Sequence, residues 1–214
     1  MHFLITAGGT REYIDPVRFI SNASSGRMGY ALAAATLKAG HKVTLITAPT
    51  ALQTPAGAKV IDVQTAKEMF NAVRRHFKKC DCLIMAAAVA DYTPVKKSKI
   101  KIKKANKNLV IKLKPTVDIL KWAGRHKHER RETSHESRII VGFALENKNL
   151  KANAEKKLKD KNLDMIIANT PASIGSDKSS VWIKVSSHNW VKFPQMTKSA
   201  IAERIISLIE GVSG

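Results

Sequence analysis

The sequence predicts an α/β protein with a Rossmann-like, three-layer sandwich: a mainly parallel sheet between two layers of helices, extended by a C-terminal β-hairpin. Short apolar runs alternate with segments of helical periodicity along the chain. The apolar runs are continuous, as in strands that are covered on both faces. No internal repeat and no linker is evident, so we expect a single domain over residues 1–214.

The first half of the chain contains most of the predicted parallel strands. His2–Thr6 is a short apolar strand, followed by a turn at Ala7–Thr10 and a loop to about Ser24. Small and apolar residues recur at helical spacing over Ser25–Ala39, and Gly40 follows where a C-terminal cap belongs. The next predicted elements are strands at Lys42–Ile46 and Ala58–Val63, a helix at Thr65–Phe77 and a fully apolar strand at Cys82–Ala88.

The second half of the chain has a looser pattern. Leu109–Leu113 resembles an exposed strand, and Thr197–Ile209 forms an amphipathic helix. The other predicted elements are a short helix at Asp118–Gly124, a strand at Ile139–Phe143, a charged helix at Leu150–Lys161, a strand at Leu163–Ala168 and a hairpin of Val181–Val185 with Val191–Phe193. Ligands of such sheets bind at the carboxyl ends of the strands. The loops that follow the strands are therefore the candidate functional segments.

The composition favours a folded protein with anionic partners. The 214 residues are 44% apolar, and 37 Lys and Arg against 17 Asp and Glu give a net charge of +20. This excess attracts nucleic acid, acidic lipid or phosphorylated metabolites, and its sign does not choose among them. No apolar run approaches the roughly 18 residues of a membrane span, and Met1–Ile5 does not open a signal peptide. We therefore expect a cytoplasmic protein with no membrane partner, in which Cys80 and Cys82 are buried thiols.

Two basic segments need separate explanations. Residues 93–106 are expected to form a mobile lysine-rich loop, either solvated or in contact with an anion. The second segment, Arg125–Ser137, is expected to be a solvated loop, with a metal site as the weaker alternative because it contains three histidines: His126, His128 and His135.

The connection from Ala7 to Gly26 is long and polar for a first strand-to-helix loop. It offers backbone N–H groups, hydroxyls, an amide and two arginines near a helix start, where the helix dipole favours anions. It lacks both the G-x-G-x-x-G fingerprint and a P-loop. Two interpretations stay open at this point: an anion site, or a helix capped by Ser24 or Ser25, with Gly26 and Gly29 allowing close packing.

A series of motifs lies in this loop and beyond it. The motifs are Thr6–Glu12, Ile14–Asn22, Ser24–Gly26, Met28–Gly29, Ala86–Tyr92, Lys101–Lys104, Asp118–Leu120, Val141–Glu146, Lys157 with Lys161, and Ala168–Asn169. Together these motifs resemble the phosphopantothenate–cysteine ligase (phosphopantothenoylcysteine synthetase) family. They cover nearly the whole chain in order. The sequence departs from the family pattern at Tyr13, Ala23 and Thr116–Val117, and none of these departures removes a residue expected to take part in chemistry.

The resemblance implies a ligase, unrelated to ATP-grasp enzymes, that joins 4′-phosphopantothenate to L-cysteine in coenzyme A biosynthesis. The family reaction passes through an acyl-nucleotide, here expected to be an acyl-cytidylate formed from CTP, with ATP as the alternative nucleotide. Lysines and Mg²⁺ would offset the repulsion between the carboxylate and the triphosphate. The sequence does not identify metal ligands. The resemblance further implies a homodimer, in which a segment of one subunit completes the other's site, and a separate flavin-dependent decarboxylase as partner.

The resemblance also assigns roles to individual residues. Asn22 and Lys101 are the catalytic residues: the neutral amide of Asn22 would donate hydrogen bonds to the acyl phosphate, and Lys101 would contact the nucleotide phosphates. The phosphopantothenate-binding residues are Asn22, Arg18 and Asn169. The nucleotide-binding residues are Gly8, Gly9, Ser24, Ser25, Gly26, Ala87, Asp91, Lys101, Val117, Asp118, Ile119, Leu120, Phe143, Lys157 and Lys161.

Each assignment has a structural alternative. Asn22, Asp91 and Asn169 are also typical turn residues, Phe143 is typical of a core, and Lys157 with Lys161 is typical of a solvated helix face. Two other function classes remain. The charge suits a basic nucleic-acid-binding domain, although no recognised module is present and aromatic residues are few in the basic segments. A nicotinamide or flavin oxidoreductase would share the sheet, but the glycine fingerprint is missing.

Overall fold

The computed structural model describes residues 1–129 and 138–212. Its strands are β1 (His2–Ala7), β2 (Arg11–Tyr13), β3 (Phe19–Ser21), β4 (Lys42–Thr47), β5 (Lys59–Asp62), β6 (Cys82–Met85), β7 (Tyr92–Pro94), β8 (Leu113–Pro115), β9 (Ile139–Leu145), β10 (Met165–Asn169), β11 (Lys178–Val185) and β12 (Val191–Thr197). Its helices are α1 (Arg27–Lys38), α2 (Ala66–His76), α3 (Ile119–His126), α4 (Leu150–Asp160) and α5 (Lys198–Val212). Short 3-10 turns lie at Phe77–Lys79 and Pro171–Ser173.

Eight of the described strands form one sheet, in the order β12-β11-β10-β9-β6-β1-β4-β5. The six neighbouring strands β10, β9, β6, β1, β4 and β5 pair in parallel. Strand β11 is antiparallel to both β10 and β12. The C-terminal hairpin therefore extends a parallel sheet at one edge. The predicted fold class is confirmed.

Side chains alternate across the sheet and build a core on each face. In β1, Phe3 and Ile5 face the layer formed by α1 and α5, and Leu4 faces the layer formed by α2, α3 and α4. Leu32 and Ile205 are fully buried in the first core, and Met69 is fully buried in the second. These two cores explain why the parallel strands read as continuous apolar runs.

Two small antiparallel hairpins lie outside the main sheet. The first pairs β2 with β3, inside the segment predicted to be a loop, because short polar strands leave no hydrophobic periodicity to detect. The second pairs β7 with β8. The strand predicted at Leu109–Leu113 was placed too early: it begins at Leu113, where the chain finds its partner Pro94, and Val110 is 83% exposed.

Strand β6 is shorter than predicted and ends at Met85, not at Ala88. After Met85 the backbone hydrogen bonds leave the ladder: the Ala87 N–H donates to the Thr6 hydroxyl (3.1 Å), and the Ala88 N–H donates to the Gly8 carbonyl (2.9 Å). The chain thus turns from the sheet into the loop layer above it.

The remaining expectations concern cysteines, histidines and membranes. Cys80 and Cys82 are buried free cysteines, as predicted. Arg125 and His126 of the second basic segment belong to α3, while residues 130–137, which include His135, lie outside the described residues. In the two described ranges, every helix is too short or too polar to cross a bilayer.

Candidate active site

Two loops join at the carboxyl end of the central strands β1 and β6. Gly9 and Ala88 form a parallel bridge between them, and the Thr10 N–H donates to the Ala88 carbonyl (3.3 Å). The Thr10 hydroxyl accepts from the Ala90 N–H (2.9 Å). The segments 8–10 and 86–90 therefore form one continuous wall.

Glycines 8 and 9 are needed for the packing of this wall. Gly8 has a φ of +79°, and a Cβ there would lie 2.7 Å from the Ala48 carbonyl oxygen. A Cβ on Gly9 would lie 2.8 Å from the Asn22 carbonyl oxygen. Neither glycine lines the cavity that the wall encloses. Their position thus explains the glycines without a ligand, and their predicted contact with a nucleotide stays a prediction.

A cavity of about 570 Å³ opens beside this wall, within the size range of small-molecule sites. It brings together residues from distant parts of the sequence, because the carboxyl ends of parallel strands meet at one edge. The predicted site residues that line it are Asn22, Ser24, Ser25, Gly26, Ala87, Asp91, Val117, Asp118, Ile119, Leu120, Phe143, Lys157, Lys161 and Asn169. The sequence-based set is therefore spatially coherent for these fourteen residues.

Helix α1 starts at this cavity without a side-chain cap. The N-cap is Gly26, with a φ of +76°, so the expectation that Ser24 or Ser25 caps the helix was wrong. The Ser24 hydroxyl accepts from the Gly26 N–H (3.4 Å), which is outside the helix. The first helical N–H groups lack a side-chain partner, and Gly26 and Arg27 line the cavity. An anion is the ligand that such a helix start favours.

The amide of Asn22 is held against the neighbouring loop. Its nitrogen Nδ2 donates to the carbonyls of Val89 (3.1 Å) and Ala88 (3.4 Å). Because carbonyls only accept hydrogen bonds, these contacts fix which way the amide points. Its oxygen Oδ1 has no hydrogen-bond partner in the part of the chain that the structure describes. This oxygen is the atom that Asn22 offers to a ligand.

Lys157 and Lys161 lie on the face of α4 and its C-terminal end that turns toward the cavity. The Lys157 ammonium donates to the Phe143 carbonyl (2.7 Å), and burial, with a further contribution from the Lys161 charge, lowers the Lys157 pKa. The Lys161 ammonium lies 2.8 Å from the Asp118 carboxylate. Both lysines are thus anchored and not freely solvated.

Two of the three carboxylates that line the cavity, those of Asp118 and Asp91, differ in their surroundings. Asp118 caps α3 by accepting from the Lys121 N–H (2.9 Å). Burial raises its pKa, but the ion pair with Lys161 and the Lys121 N–H outweigh burial, so the Asp118 pKa is lowered. The Asp91 side chain is exposed and has no hydrogen bond among the described residues. Asp91 is therefore free to contact a ligand.

A basic group that was not predicted from the sequence lines the cavity where α1 and α5 begin, on the face of the sheet opposite to α4. Lys198 and Arg27 both line it, beside Asn169 and Ser173. The Lys198 ammonium donates to the Ser173 carbonyl (3.2 Å), and burial, followed by the nearby Arg27 charge, lowers the Lys198 pKa. Lys198 is the first residue of α5, where the helix dipole disfavours a cation. That unfavourable position was the available signal that Lys198 has another role.

Besides Gly8 and Gly9, two more predicted site residues lie outside the cavity of their own chain. Arg18 forms an ion pair with Asp15 (2.5 Å), and Lys101 is exposed on the lysine-rich segment. Both lie near the β2–β3 hairpin, where the Arg18 guanidinium also donates to the Ile102 carbonyl (2.7 Å). The described residues therefore place Arg18 and Lys101 near each other, apart from the fourteen that line the cavity.

Comparison with known proteins identifies relatives over the whole described chain. Residues 1–212 match the family model of the DNA/pantothenate metabolism flavoprotein C-terminal domain. A protein named cysteine/cysteine sulfinic acid decarboxylase, from an unknown prokaryotic organism, is 45% identical over 96% of this chain and 56% of its own length. The coenzyme A biosynthesis bifunctional protein CoaBC of Bacillus subtilis (strain 168) is 42% identical over 99% of this chain and 52% of its own length. The chain thus spans about half the length of these curated relatives.

Solved structures share the fold. The C-terminal domain of a CoaBC protein superimposes with a TM-score of 0.83 at 37% identity, covering 99% of this chain and 94% of that domain. A Cab2 mutant in complex with phosphopantothenate-cysteine gives a TM-score of 0.79 over 98% of this chain and 86% of its own, at 18% identity, which shows a common fold. The resemblance inferred from the sequence motifs is confirmed at the level of the family: this chain belongs to the DNA/pantothenate metabolism flavoprotein C-terminal domain family.

Proposed function

We propose that this domain is a phosphopantothenate–cysteine ligase, which forms the amide between 4′-phosphopantothenate and L-cysteine. The observation that supports this proposal most is the single cavity in which fourteen of the residues assigned by resemblance converge. Family membership and the CoaBC relatives support it independently. The match to a Cab2 complex with phosphopantothenate-cysteine supports only the fold.

The cavity suits a reaction between two anions. In the proposed first step, the carboxylate of the acid attacks the α-phosphate of the nucleotide, forming an acyl-nucleotide and releasing pyrophosphate. Lys157 and Lys161 line the cavity from the α4 face of the sheet and Lys198 from the α5 face, so that both reactants meet positive charge. These cations offset the repulsion between reactants that bear the same charge.

In the second step, the amine of cysteine attacks the acyl carbon and displaces the nucleoside monophosphate. Asn22 was expected to donate hydrogen bonds to the acyl phosphate, but its Nδ2 already donates to the carbonyls of Ala88 and Val89. We therefore propose that Oδ1 of Asn22 accepts an N–H of the incoming amine and orients its lone pair toward the acyl carbon.

We propose CTP as the nucleotide, with ATP as the alternative, because the resemblance implies CTP for most bacterial members of the family and the curated relatives include a Bacillus subtilis protein. The described residues contain no group of three His, Cys, Asp or Glu side chains that could hold a metal ion. Mg²⁺ would enter with the triphosphate, as it commonly does.

A homodimer completes the proposal. Arg18 and Lys101 lie outside the cavity of their own chain, so a second copy is a suitable recipient for them. Exposed apolar side chains accompany them on the same segments, including Ile100 (77% exposed) and Val110 (83% exposed). We further propose a cytoplasmic location and a flavin-dependent decarboxylase as the partner enzyme, since the relatives named bifunctional are about twice as long.

The test is an assay of the purified protein with phosphopantothenate, cysteine, Mg²⁺ and either CTP or ATP. We expect pyrophosphate and the amide only in the complete mixture, with faster turnover on CTP. No turnover with either nucleotide would refute the ligase. A net charge of +20 keeps a nucleic-acid-binding domain as the second candidate, and steeply salt-dependent DNA binding without ligase activity would favour it.

A further inference from the structure

A buried carboxylate joins the first loop to the lysine-rich segment. Asp15 is fully buried in the β2–β3 hairpin, although it is charged. Its oxygen Oδ1 accepts from the backbone N–H groups of Val17 (2.9 Å) and Arg18 (2.8 Å). These two bonds close the turn of the hairpin and leave the second oxygen for other partners.

The second oxygen, Oδ2, reaches across to the lysine-rich segment. It accepts from the Arg18 side chain (Nε at 3.0 Å and Nη2 at 2.5 Å) and from the backbone N–H of Ile102 (3.1 Å). The same Arg18 Nη2 donates to the Ile102 carbonyl (2.7 Å). Both polar groups of Ile102, the residue directly after Lys101, are thereby held by the Asp15–Arg18 pair.

Two further contacts hold the same segment on the hairpin. The Ser98 N–H donates to the Ile14 carbonyl (2.9 Å), and the Lys97 ammonium lies 4.8 Å from the centre of the Tyr13 ring. None of these contacts uses the Lys101 side chain, which stays exposed. The backbone around Lys101 is thus fixed while its ammonium is available to a ligand.

We propose that Asp15 and Arg18 form a positioning pair that holds the lysine-rich segment, and with it Lys101, in place for the nucleotide phosphates. The identity of the ligand, a nucleotide, rests on the proposed ligase function, whereas the contacts of Asp15 and Arg18 do not depend on it. A segment of like charges repels itself and would have to be ordered when the nucleotide binds. Holding it in advance reduces that entropic cost, so Asp15 acts on the nucleotide through Lys101.

The pair has properties that suit this task. The Arg18 guanidinium outweighs the opposing effect of burial and, with three backbone N–H groups, holds the Asp15 pKa well below its usual range. The carboxylate therefore stays charged at neutral pH. Arg18 uses Nε and Nη2, while its Nη1 has no hydrogen-bond partner among the described residues. That nitrogen can contact an anionic substrate without releasing Ile102.

The substitution Asp15→Asn tests the pair selectively. The asparagine oxygen can still accept from the Val17 and Arg18 N–H groups, so the turn is kept. An NH₂ group then replaces Oδ2. Because it is a donor that faces the donors of Arg18 and Ile102, the hydrogen bonds to the lysine-rich segment are lost. We expect trypsin to cleave after Lys97–Lys104 about tenfold faster, because charge-assisted hydrogen bonds are lost. We also expect a higher KM for the nucleotide, with an unchanged KM for cysteine.

Two comparisons separate this link from general damage. Asp62→Asn makes the same change at an exposed carboxylate on β5 and should leave cleavage and kinetics at parent values. Ile102→Pro removes the N–H that binds Asp15, whereas Ile102→Ala keeps it, so only the proline variant should resemble Asp15→Asn. Parent-like cleavage and nucleotide KM in Asp15→Asn and Ile102→Pro would overturn the positioning role while the parent remains an active ligase. If Asp15→Asn and Ile102→Pro were cleaved faster than a parent that itself lacked ligase activity, the proposed function alone would be refuted.

Discussion

The Asp118 carboxylate lies 2.8 Å from the Lys161 ammonium, so the start of α3 is tied to the end of α4 beside the cavity. Asp118 stabilises this region in a second way, because its carboxylate also caps α3 by accepting from the Lys121 N–H. A second contact lies six residues further along α3, where Nδ2 of Asn162, just after α4, donates to the Gly124 carbonyl (3.0 Å). The nucleotide-binding residues proposed on α3 and α4 are therefore parts of one rigid unit.

The first prediction separates the charge of Asp118 from its capping. Asp118→Asn keeps an N-cap oxygen but loses the ion pair with Lys161, so we expect a loss of less than about 1 kcal/mol at pH 7. Asp118→Ala should lose about 1 kcal/mol more, because the cap is lost as well. Because the folded pKa of Asp118 is lowered, its ionic contribution is present above the unfolded pKa and is lost as pH falls through the folded pKa. Urea unfolding between pH 2 and 6 should thus show a weaker acid dependence in Asp118→Asn. Identical pH profiles would contradict the ion pair's contribution.

The second prediction concerns Lys157. Lys157→Gln removes a partly desolvated cation from the cavity, and we expect the nucleotide KM to rise about tenfold or more, since a hydrogen bond to a charged group is lost. Lys156→Gln is the matched control, because Lys156 is exposed and does not line the cavity. Initial rates at varied nucleotide concentration would show the difference. Equal KM values in the two variants would argue against nucleotide binding at this end.

The third prediction concerns the two half-reactions. Asn22→Ala should still release pyrophosphate with the stoichiometry of one turnover, but amide formation should fall by a factor on the order of 10², because the amine is no longer oriented. Rapid-quench measurements of pyrophosphate and amide would distinguish the steps. Asn71→Ala makes the same change at an exposed position of α2 outside the cavity and serves as the control. Amide formation at the parent rate would remove Asn22 from the second step.

The fourth prediction addresses the basic group at the Asn169 end of the cavity, which was not predicted from the sequence. Lys198→Gln should raise the KM for phosphopantothenate about tenfold and leave the nucleotide KM unchanged, because the lost cation lies at that end. Lys178→Gln removes an exposed lysine from β11, outside the cavity, and should be neutral. If Lys198→Gln changed the nucleotide KM instead, the nucleotide and not phosphopantothenate would be assigned to the Lys198 side of the cavity.

The fifth prediction concerns stability. A Cβ on Gly124 would lie 1.8 Å from the Lys161 carbonyl oxygen, so Gly124→Ala must push α3 and α4 apart. We expect a loss of about 1–3 kcal/mol in the free energy of unfolding, as for other overpacked sites. A Cβ on Gly211 of α5 would meet no neighbouring atom within 4 Å, and Gly211→Ala should gain up to about 1 kcal/mol. Urea denaturation of both variants provides the measurement.

Much of the fold was predictable from the sequence because apolar periodicity is a local property. The runs at His2–Thr6 and Lys42–Ile46 became strands within one residue, and parallel pairing then required the loops after them to meet at one edge. The hairpin of β2 and β3 was not predictable, since three-residue polar strands carry no such pattern.

The site was predictable as a set of residues but not as a set of atoms. Asn22 was identified by resemblance, yet only the carbonyls of Ala88 and Val89 reveal that its nitrogen is already engaged, which leaves its oxygen for a ligand. Arg18 was assigned to a substrate, and its partner Ile102 lies 84 positions away in sequence. Such contacts depend on how the loops fold over the sheet, which no local pattern encodes.

The cavity lysines Lys157 and Lys198 are also expected to react readily with electrophiles. Burial lowers the pKa of both Lys157 and Lys198, so at a given pH each has a larger neutral amine fraction than a solvated lysine. A neutral amine is the form that reacts with acylating reagents. An electrophile shaped to enter the cavity would therefore label these two positions ahead of the many surface lysines, which provides a starting point for covalent inhibitors.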